Sequence, residues 1–203
     1  MTAVRPARPS EIGELAAVLT RAFARDPFYS YLVGDASERN QRMRDGWNGL
    51  LRHSSDRLSA TYTTDDLCGV AVWHPPGYRG PNFIDSLRLL PSVSRLAGGM
   101  RRLREVSKVV AALEVRRRWH APSAHFYLSA LGVEPDRQGE GLGTALMEPV
   151  LERADRDGLP AYLETATARN VLLYERQGFD VVEELTLPNT DVHGWLMVRP
   201  PAG

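Results

Sequence analysis

The segment Gln138-Gly139-Glu140-Gly141-Leu142-Gly143-Thr144 carries the clearest chemical signal in the chain. Three glycines at alternate positions let a backbone turn sharply and leave no Cβ in the way of a ligand. An amphipathic run follows, with Leu142, Ala145, Leu146, Val150, Leu151 and Ala154 at helical spacing. A glycine turn that feeds a helix aims unbonded N–H groups at one point, which suits a phosphate or pyrophosphate. The same glycines would also serve as a plain tight connection from strand to helix.

Two familiar phosphate motifs fit poorly. A P-loop needs Gly-Lys-Ser/Thr at the helix start, and no lysine stands here. A dinucleotide fingerprint needs Gly-x-Gly-x-x-Gly directly after a strand and an acidic residue about 20 residues on. Glu164 is such an acid. Thr144, however, stands where the third glycine belongs, and Glu134-Pro135-Asp136-Arg137 part the strand from the glycines. A dinucleotide-binding protein stays as a remote alternative.

The spacing does satisfy Gln/Arg-x-x-Gly-x-Gly/Ala, and in this it resembles the GCN5-related N-acetyltransferases. Asn170-Val171-Leu172-Leu173-Tyr174-Glu175-Arg176-Gln177-Gly178-Phe179 is similar to that family's Asn…Leu-Tyr-Glu-x-x-Gly-Phe segment. The likeness runs well from Phe126 to Val198. In the first half it is carried only by Ala22-Phe23…Asp26-Pro27 and Val70-Ala71-Val72-Trp73. It implies one α/β domain over residues 1–203, with a mixed, mostly antiparallel twisted sheet, a splayed central strand pair and helices on both faces. Residues 1–123 would form the acceptor side, with extra helices, and 124–203 the acetyl-CoA-binding half.

The resemblance also implies direct transfer of acetyl from acetyl-CoA to a primary amine. Carried onto this chain, the backbone groups of Leu131 and Val133 would pair with the pantetheine arm. Gln138, Gly139, Glu140, Gly141, Leu142, Gly143 and Thr144 would cradle the pyrophosphate. Asn170 would be a further cofactor ligand, the N-cap of its helix, or both. Tyr174, four residues on and so on the same helical face, would be the acid for the departing thiolate, or else a packing residue.

An amine attacks only as the free base, so the site needs a proton acceptor. Glu164, a carboxylate ending the strand after the glycine helix, is the first candidate; a salt-bridged glutamate is the plain reading. Asp26 is the second, and it could equally just end a helix before Pro27. A water relay is the third. Phe28, Tyr29, Tyr31, Trp73 and Tyr78 lie in segments that would border the acceptor, with Asp26, Phe28, Tyr31 and Trp73 the chosen substrate contacts. Aromatics without a cluster of acids favour a small aromatic amine, such as a puromycin-like antibiotic, over a highly cationic one. A peptide amine, and a binding or sensing module without turnover, stay open.

Composition narrows the rest. Lys+Arg and Asp+Glu both number 25, an even balance that argues against a nucleic-acid partner, whose backbone demands excess positive charge. Cys68 is the one cysteine, so no intrachain disulfide can form, and a reducing compartment fits. The five histidines lack metal-ligand spacing, and no metal is expected. No apolar run is long enough to span a bilayer, and Met1–Pro6 lacks the apolar core of a signal peptide. A cytoplasmic monomer or homodimer without a membrane partner is expected.

The elements that must position these groups follow from periodicity. Ser10 reads as the N-cap of a helix through Phe23 that Asp26-Pro27 stops. A second helix is expected from about Ser37 to His53. Strands follow at about Leu58–Thr63 and Gly69–His74. Asn82–Trp119, arginine-rich and interrupted by Pro91 and Gly98-Gly99, reads as two helices. Then come a strand at Ala124–Val133, a helix at about Gly141–Asp157 that Pro149 should kink, a strand at Ala161–Thr165, and a helix at Arg169–Gln177 ended by Gly178. An antiparallel pair, Val181–Leu187 and Val192–Val198, closes the chain.

Overall fold

The computed structural model describes residues 2–34, 37–55, 60–78, 90–94, 96–97 and 100–202. The strands are β1 (Val4–Pro6), β2 (Ala60–Thr64), β3 (Gly69–His74), β4 (Phe126–Val133), β5 (Ala161–Thr165), β6 (Asp180–Thr186) and β7 (His193–Arg199). The helices named below are α1 (Ile12–Ala22), α2 (Pro27–Val33), α3 (Arg39–Ser55), α4 (Met100–His120), α5 (Leu142–Asp157) and α6 (Ala168–Glu175). One seven-stranded sheet runs in the order β1-β2-β3-β4-β5-β7-β6. Only β4 and β5 are parallel; the other neighbours are antiparallel.

Strand β3 is buried throughout, as a central strand covered on both faces must be. Val70 and Val72 point into a core with Leu15, Leu19, Met43 and Trp47 of α1 and α3. Ala71 and Trp73 point the other way, against Leu146, Met147 and Val150 of α5. Each fully buried leucine in these layers contributes roughly 2 kcal/mol by leaving water.

Strand β4 breaks this alternation. Val72 pairs with Ala130 but Trp73 pairs with Leu128, so Ser129 is an extra residue opposite β3. Its Oγ donates to the Val72 carbonyl (3.1 Å). The bulge swaps the faces of the strand: Phe126, Leu128, Leu131 and Val133 all pack on the α5 side, and Ala130 on the α1 side. A bulge also bends its strand. Here β4 pairs with β5 only through Phe126–Leu128 opposite Ala161–Leu163, and from Ser129 onward the two part. The splay implied by the resemblance thus has a local cause.

Several sequence expectations need correction. The Asp26-Pro27 pair starts α2 instead of merely stopping α1. The Asp26 Oδ1 accepts from the Tyr29 N–H (3.0 Å) with Pro27 at the first helical position, where the missing N–H costs nothing. Ser10 is not a helix cap; it lies in a 3₁₀ turn, Pro9–Glu11, before α1. Strand β1 carried too little periodicity to be read, and as a three-residue edge strand it tolerates Pro6. The expected glycine-turn helix is present as α5, continuous from Leu142 to Asp157 with Pro149 inside it. The start of the expected strand at Leu58 and the start of the arginine-rich helices at Asn82 lie outside the described residues; residues 90–94 and 96–97 are helical ahead of α4.

Helix α1 sits close on β4. A Cβ at Gly132 would meet Leu19 Cδ2 at 2.9 Å and the Ala22 Cβ at 3.0 Å, whereas one at Gly13 would meet nothing within 4 Å. Gly132→Val should therefore lose about 1–3 kcal/mol through overpacking. Gly13→Ala should gain about 0.5–1 kcal/mol from helix propensity. Urea-melt midpoints moving in opposite directions would check both.

Candidate active site

The glycine turn is built as its sequence demands. Gly139 (φ +90°) and Gly141 (φ +82°) hold left-handed conformations that cost a residue bearing a Cβ about 1–2 kcal/mol. Gly141 caps α5. Ala145 is the first residue whose N–H bonds back, to the Gly141 carbonyl (3.1 Å). The N–H groups of Leu142, Gly143 and Thr144 therefore open the helix without intrahelical partners. The Leu142 side chain is buried, so only its backbone can serve a ligand. Gly143 is not left-handed; a Cβ there would lie 3.6 Å from Leu173 and 3.8 Å from Leu131. Arg137 Nε donates to both Glu140 carboxylate oxygens at 2.9 Å, offsetting a negative charge beside an anion site. Thr144 Oγ1 accepts from Gln177 Nε2 (3.5 Å).

The strand leading to this turn exposes backbone to the gap. Glu134 N–H bonds the Cys68 carbonyl (2.8 Å) in the connection before β3. Alternation along a strand then turns the N–H and C=O groups of Val133 and Leu131 the other way, into the space β5 has left. Gln138 Nε2 donates to the Val133 carbonyl (3.2 Å), and Arg169 donates to Gln138 Oε1 (2.8 Å). Free strand groups, a row of helix N–H groups and the absence of a Cβ at the turn fit the pantetheine and pyrophosphate of acetyl-CoA.

A cavity of about 400 Å³ continues from the gap. Ser129, Ala130 and Leu131 of β4 and Glu164 and Thr165 of β5 line it, so the splay is its opening toward the cofactor side. Phe23, Phe28, Tyr29 and Trp47 make an aromatic wall. Three of these rings lie mutually close: Phe23–Tyr29 at 4.9 Å, Tyr29–Trp47 at 5.0 Å and Phe23–Trp47 at 5.3 Å between centroids. Leu113, Glu114 and Arg117 of α4 line it as well, with His74, Tyr78 and Tyr127. His74 stacks between Tyr78 (3.8 Å) and Tyr127 (5.6 Å).

Three of the titratable groups on this space, Glu164, Tyr174 and Asp26, are candidates for proton transfer. Glu164 is pushed up to about 7, chiefly by burial, against the opposing pull of the Tyr127 phenol, Arg117 and the Tyr162 phenol. The Tyr162 hydroxyl is buried without a closed hydrogen bond. Tyr174, 6 % exposed and packed edge-on to Phe179 (6.0 Å), lines the cavity from α6. Burial, and then the Asp26 charge, raise its phenol well above 10, so it keeps its proton. Asp26 is raised by burial too, with the Tyr29 amide and the Thr167 hydroxyl opposing; the Thr167 Oγ1 donates to its Oδ2 (3.2 Å).

Asp26, Phe28, Tyr29, Tyr78, Leu131, Glu164, Asn170 and Tyr174 thus border one cavity. Two chosen substrate contacts do not. Trp73 is 1 % exposed and sits in the core on the α5 side. Strand alternation makes the reason plain: His74, its neighbour, takes the cavity-facing position. Tyr31 packs against Val109 and Leu187, under the Arg102 guanidinium (5.1 Å). Asn170 is not the helix cap, since Thr167 holds that position; its side chain is left for the cavity. Trp47, Glu114 and Arg117 escaped the sequence reading. The first lies on the apolar face of α3, and Glu114 and Arg117 lie in the arginine-rich stretch, where nothing local singles them out. Among the described residues no cluster of three or more metal-ligating side chains occurs, and no helix is long and apolar enough to cross a membrane.

Comparison with known proteins agrees with this geometry. Residues 74–179, just over half the chain, match the acetyltransferase (GNAT) family. An uncharacterized N-acetyltransferase of Schizosaccharomyces pombe is 26 % identical over 193 residues, covering 92 % of this chain and 78 % of that protein. Among solved structures, one described as histone acetyltransferase HPA2 and related acetyltransferase from Corynebacterium glutamicum shares the fold, with a TM-score of 0.75. It is 21 % identical, over 100 % of this chain and 98 % of that one. Polyamine N-acetyltransferase of Drosophila melanogaster does so at a TM-score of 0.64 and 18 % identity, over 98 % of this chain and 100 % of its own. The fold, the glycine turn and the matched span together establish that the chain belongs to the GNAT family of acetyltransferases.

Proposed function

We propose that the protein acetylates the primary amine of a small molecule with an aromatic body, of the puromycin type, using acetyl-CoA as donor. The observation that carries this reading is the continuity of the β4–β5 gap with an aromatic-walled cavity that also holds Glu164 and Tyr174. When bound, acetyl-CoA supplies a thioester carbonyl open to a neutral amine. The Val133 and Leu131 backbone groups and the α5 N–H row would orient it.

Glu164 acts on the amine. A carboxylate poised near 7 is ionised enough to accept a proton at neutral pH and basic enough to hold it. Tyr174 Oη carries its proton throughout the working range and presents it as a hydrogen-bond donor. With its affinity for that proton raised, it stabilises developing negative charge by donation more than by complete transfer. Asp26, engaged by the Tyr29 amide and the Thr167 hydroxyl, serves as an anchor between α2 and α6. Helix α4 contributes Leu113, Glu114 and Arg117 to the cavity, a covered shape that suits a small molecule better than a protein chain. The resemblance of Gly132-Val133…Pro135-Asp136 and Leu163-Glu164-Thr165 to the puromycin N-acetyltransferases supports an aminonucleoside acceptor. The reducing compartment expected from a lone cysteine makes the cytoplasm its place of action.

Thiol release from acetyl-CoA should appear with aromatic primary amines, puromycin among them, and exceed that with spermidine at equal concentration. Tight acetyl-CoA binding without thiol release on any amine of a broad panel would make the protein a sensor instead.

In Glu164→Gln, kcat/KM should fall about 10²–10⁴-fold, and the acidic limb near pH 7 should vanish, leaving only the amine's own titration. The same group sets a stability trend of known sign. Its folded value lies above its ordinary 4.5, so the folded state binds the extra proton between the two, and stability falls as pH rises through that window. Glu164→Gln should match the parent protein near pH 4.5 and exceed it at pH 8 by on the order of 3 kcal/mol, read from urea melts at both pH values. Tyr174→Phe should lower kcat about 10–100-fold with KM for acetyl-CoA within about twofold; unchanged turnover would remove the phenol from the mechanism.

A further inference from the structure

Arg117 is 3 % exposed, and a buried guanidinium is costly unless it is well paired. Its Nε donates to Glu114 Oε2 (3.1 Å), and Nη2 makes a second, close bond to the same oxygen. Its Nη1 lies 3.3 Å from His125 Nε2. That nitrogen is the acceptor, because His125 Nδ1 gives its proton to the Ser123 carbonyl (2.8 Å). Three of its five N–H donors are thus held by protein partners, which fixes the plane of the guanidinium. What it offers the site is its face and its charge. The guanidinium carbon lies 4.8 Å from the centre of the Tyr127 ring, a cation–π distance, and Tyr127 is one of two phenols, with Tyr162, that favour the charged form of Glu164.

We propose that the Glu114–Arg117 pair is the positioning element for Glu164: the guanidinium, clamped by Glu114 and seated over Tyr127, fixes that phenol and sets the electrostatic field at the carboxylate. The proposal rests on Glu164 being the proton acceptor. The charged and titratable groups that act on Glu164 are Tyr127 from β4, Tyr162 from β5, and Arg117 and Glu114 from α4; Arg117 favours its ionised form and Glu114 disfavours it. The two members of one ion pair thus push the same carboxylate in opposite directions. A merely structural pair would give both substitutions the same sign, through lost stability.

The pH dependence of kcat/KM, measured on the full chain with one aromatic amine, separates these cases. In Arg117→Met the acidic limb should move to higher pH by about half a unit or more, with kcat at pH 7 reduced severalfold and KM for acetyl-CoA held within about twofold. Arg117→Lys should restore part of the shift. In Glu114→Gln the limb should move to lower pH. Glu114 is only half-buried, so this variant carries the test even if Arg117→Met fails to fold. A limb lost in Glu164→Gln but unmoved in both Arg117→Met and Glu114→Gln, or moved the same way in both, overturns the positioning role alone. A limb that survives Glu164→Gln overturns the assignment of the base and the positioning role with it.

Discussion

One extra residue in one strand shapes the whole site. Ser129 bulges out of register against β3, and from that point β4 can no longer pair with β5. A buried sheet pays for unpaired backbone groups at about 1–3 kcal/mol each unless something else bonds them. Val133 and Leu131 therefore form a standing demand for an extended polar ligand, and Gln138 meets part of it by bonding the Val133 carbonyl. The bulge also turns Leu131 and Val133 toward the α5 layer, beside the glycine turn. A single local defect thus brings free strand groups beside the opening N–H groups of α5, the arrangement on which the proposed donor site rests.

The same gap explains the electrostatics. Glu164, next to last in β5, comes just after its pairing with β4 has stopped, so its half-buried carboxylate meets a cavity wall and two phenols. Burial alone would keep it protonated. The phenols and Arg117 draw it back, and the balance leaves it near neutrality. A surface glutamate would be fully ionised and a weak acceptor, and a wholly apolar pocket would hold it neutral. Poise of this kind needs opposing influences from different elements, here β4, β5 and α4.

How much of this was legible in the sequence depends on the range over which each signal acts. The glycine turn, α5 and the Asn170–Tyr174 helix are local: glycine spacing, helical period and motif lie within a few turns, and they were readable. Asp26-Pro27 was seen and misread, because an acid before proline both stops one helix and caps another. The bulge at Ser129 left no local trace, since an extra serine in a strand of alternating residues looks like any other. Trp73 and His74 show the limit most sharply. Adjacent strand residues face opposite layers, and nothing in Val72-Trp73-His74-Pro75 says which face the cavity will take.

The acceptor side resists sequence reading for a further physical reason: its parts meet only across the fold. Asp26 on α2 accepts from Thr167 at the start of α6, 141 residues away. Thr167 begins the helix that carries Asn170 and Tyr174, so α2, with its aromatic residues Phe28 and Tyr29, is pinned to the helix bearing the phenol. Arg117 does the equivalent from α4, reaching the strand residue Tyr127. Each link is a single polar contact between segments that share no periodicity and no motif. On the reading proposed above, donor recognition would rest on contiguous backbone and acceptor recognition on side chains brought together from α1, α2, α3 and α4. The backbone course that presents the first can be shared by proteins about 20 % identical, because a fold survives substitution. The second would change with any one of its side chains, which makes the cavity wall the place where the proposed specificity would be set.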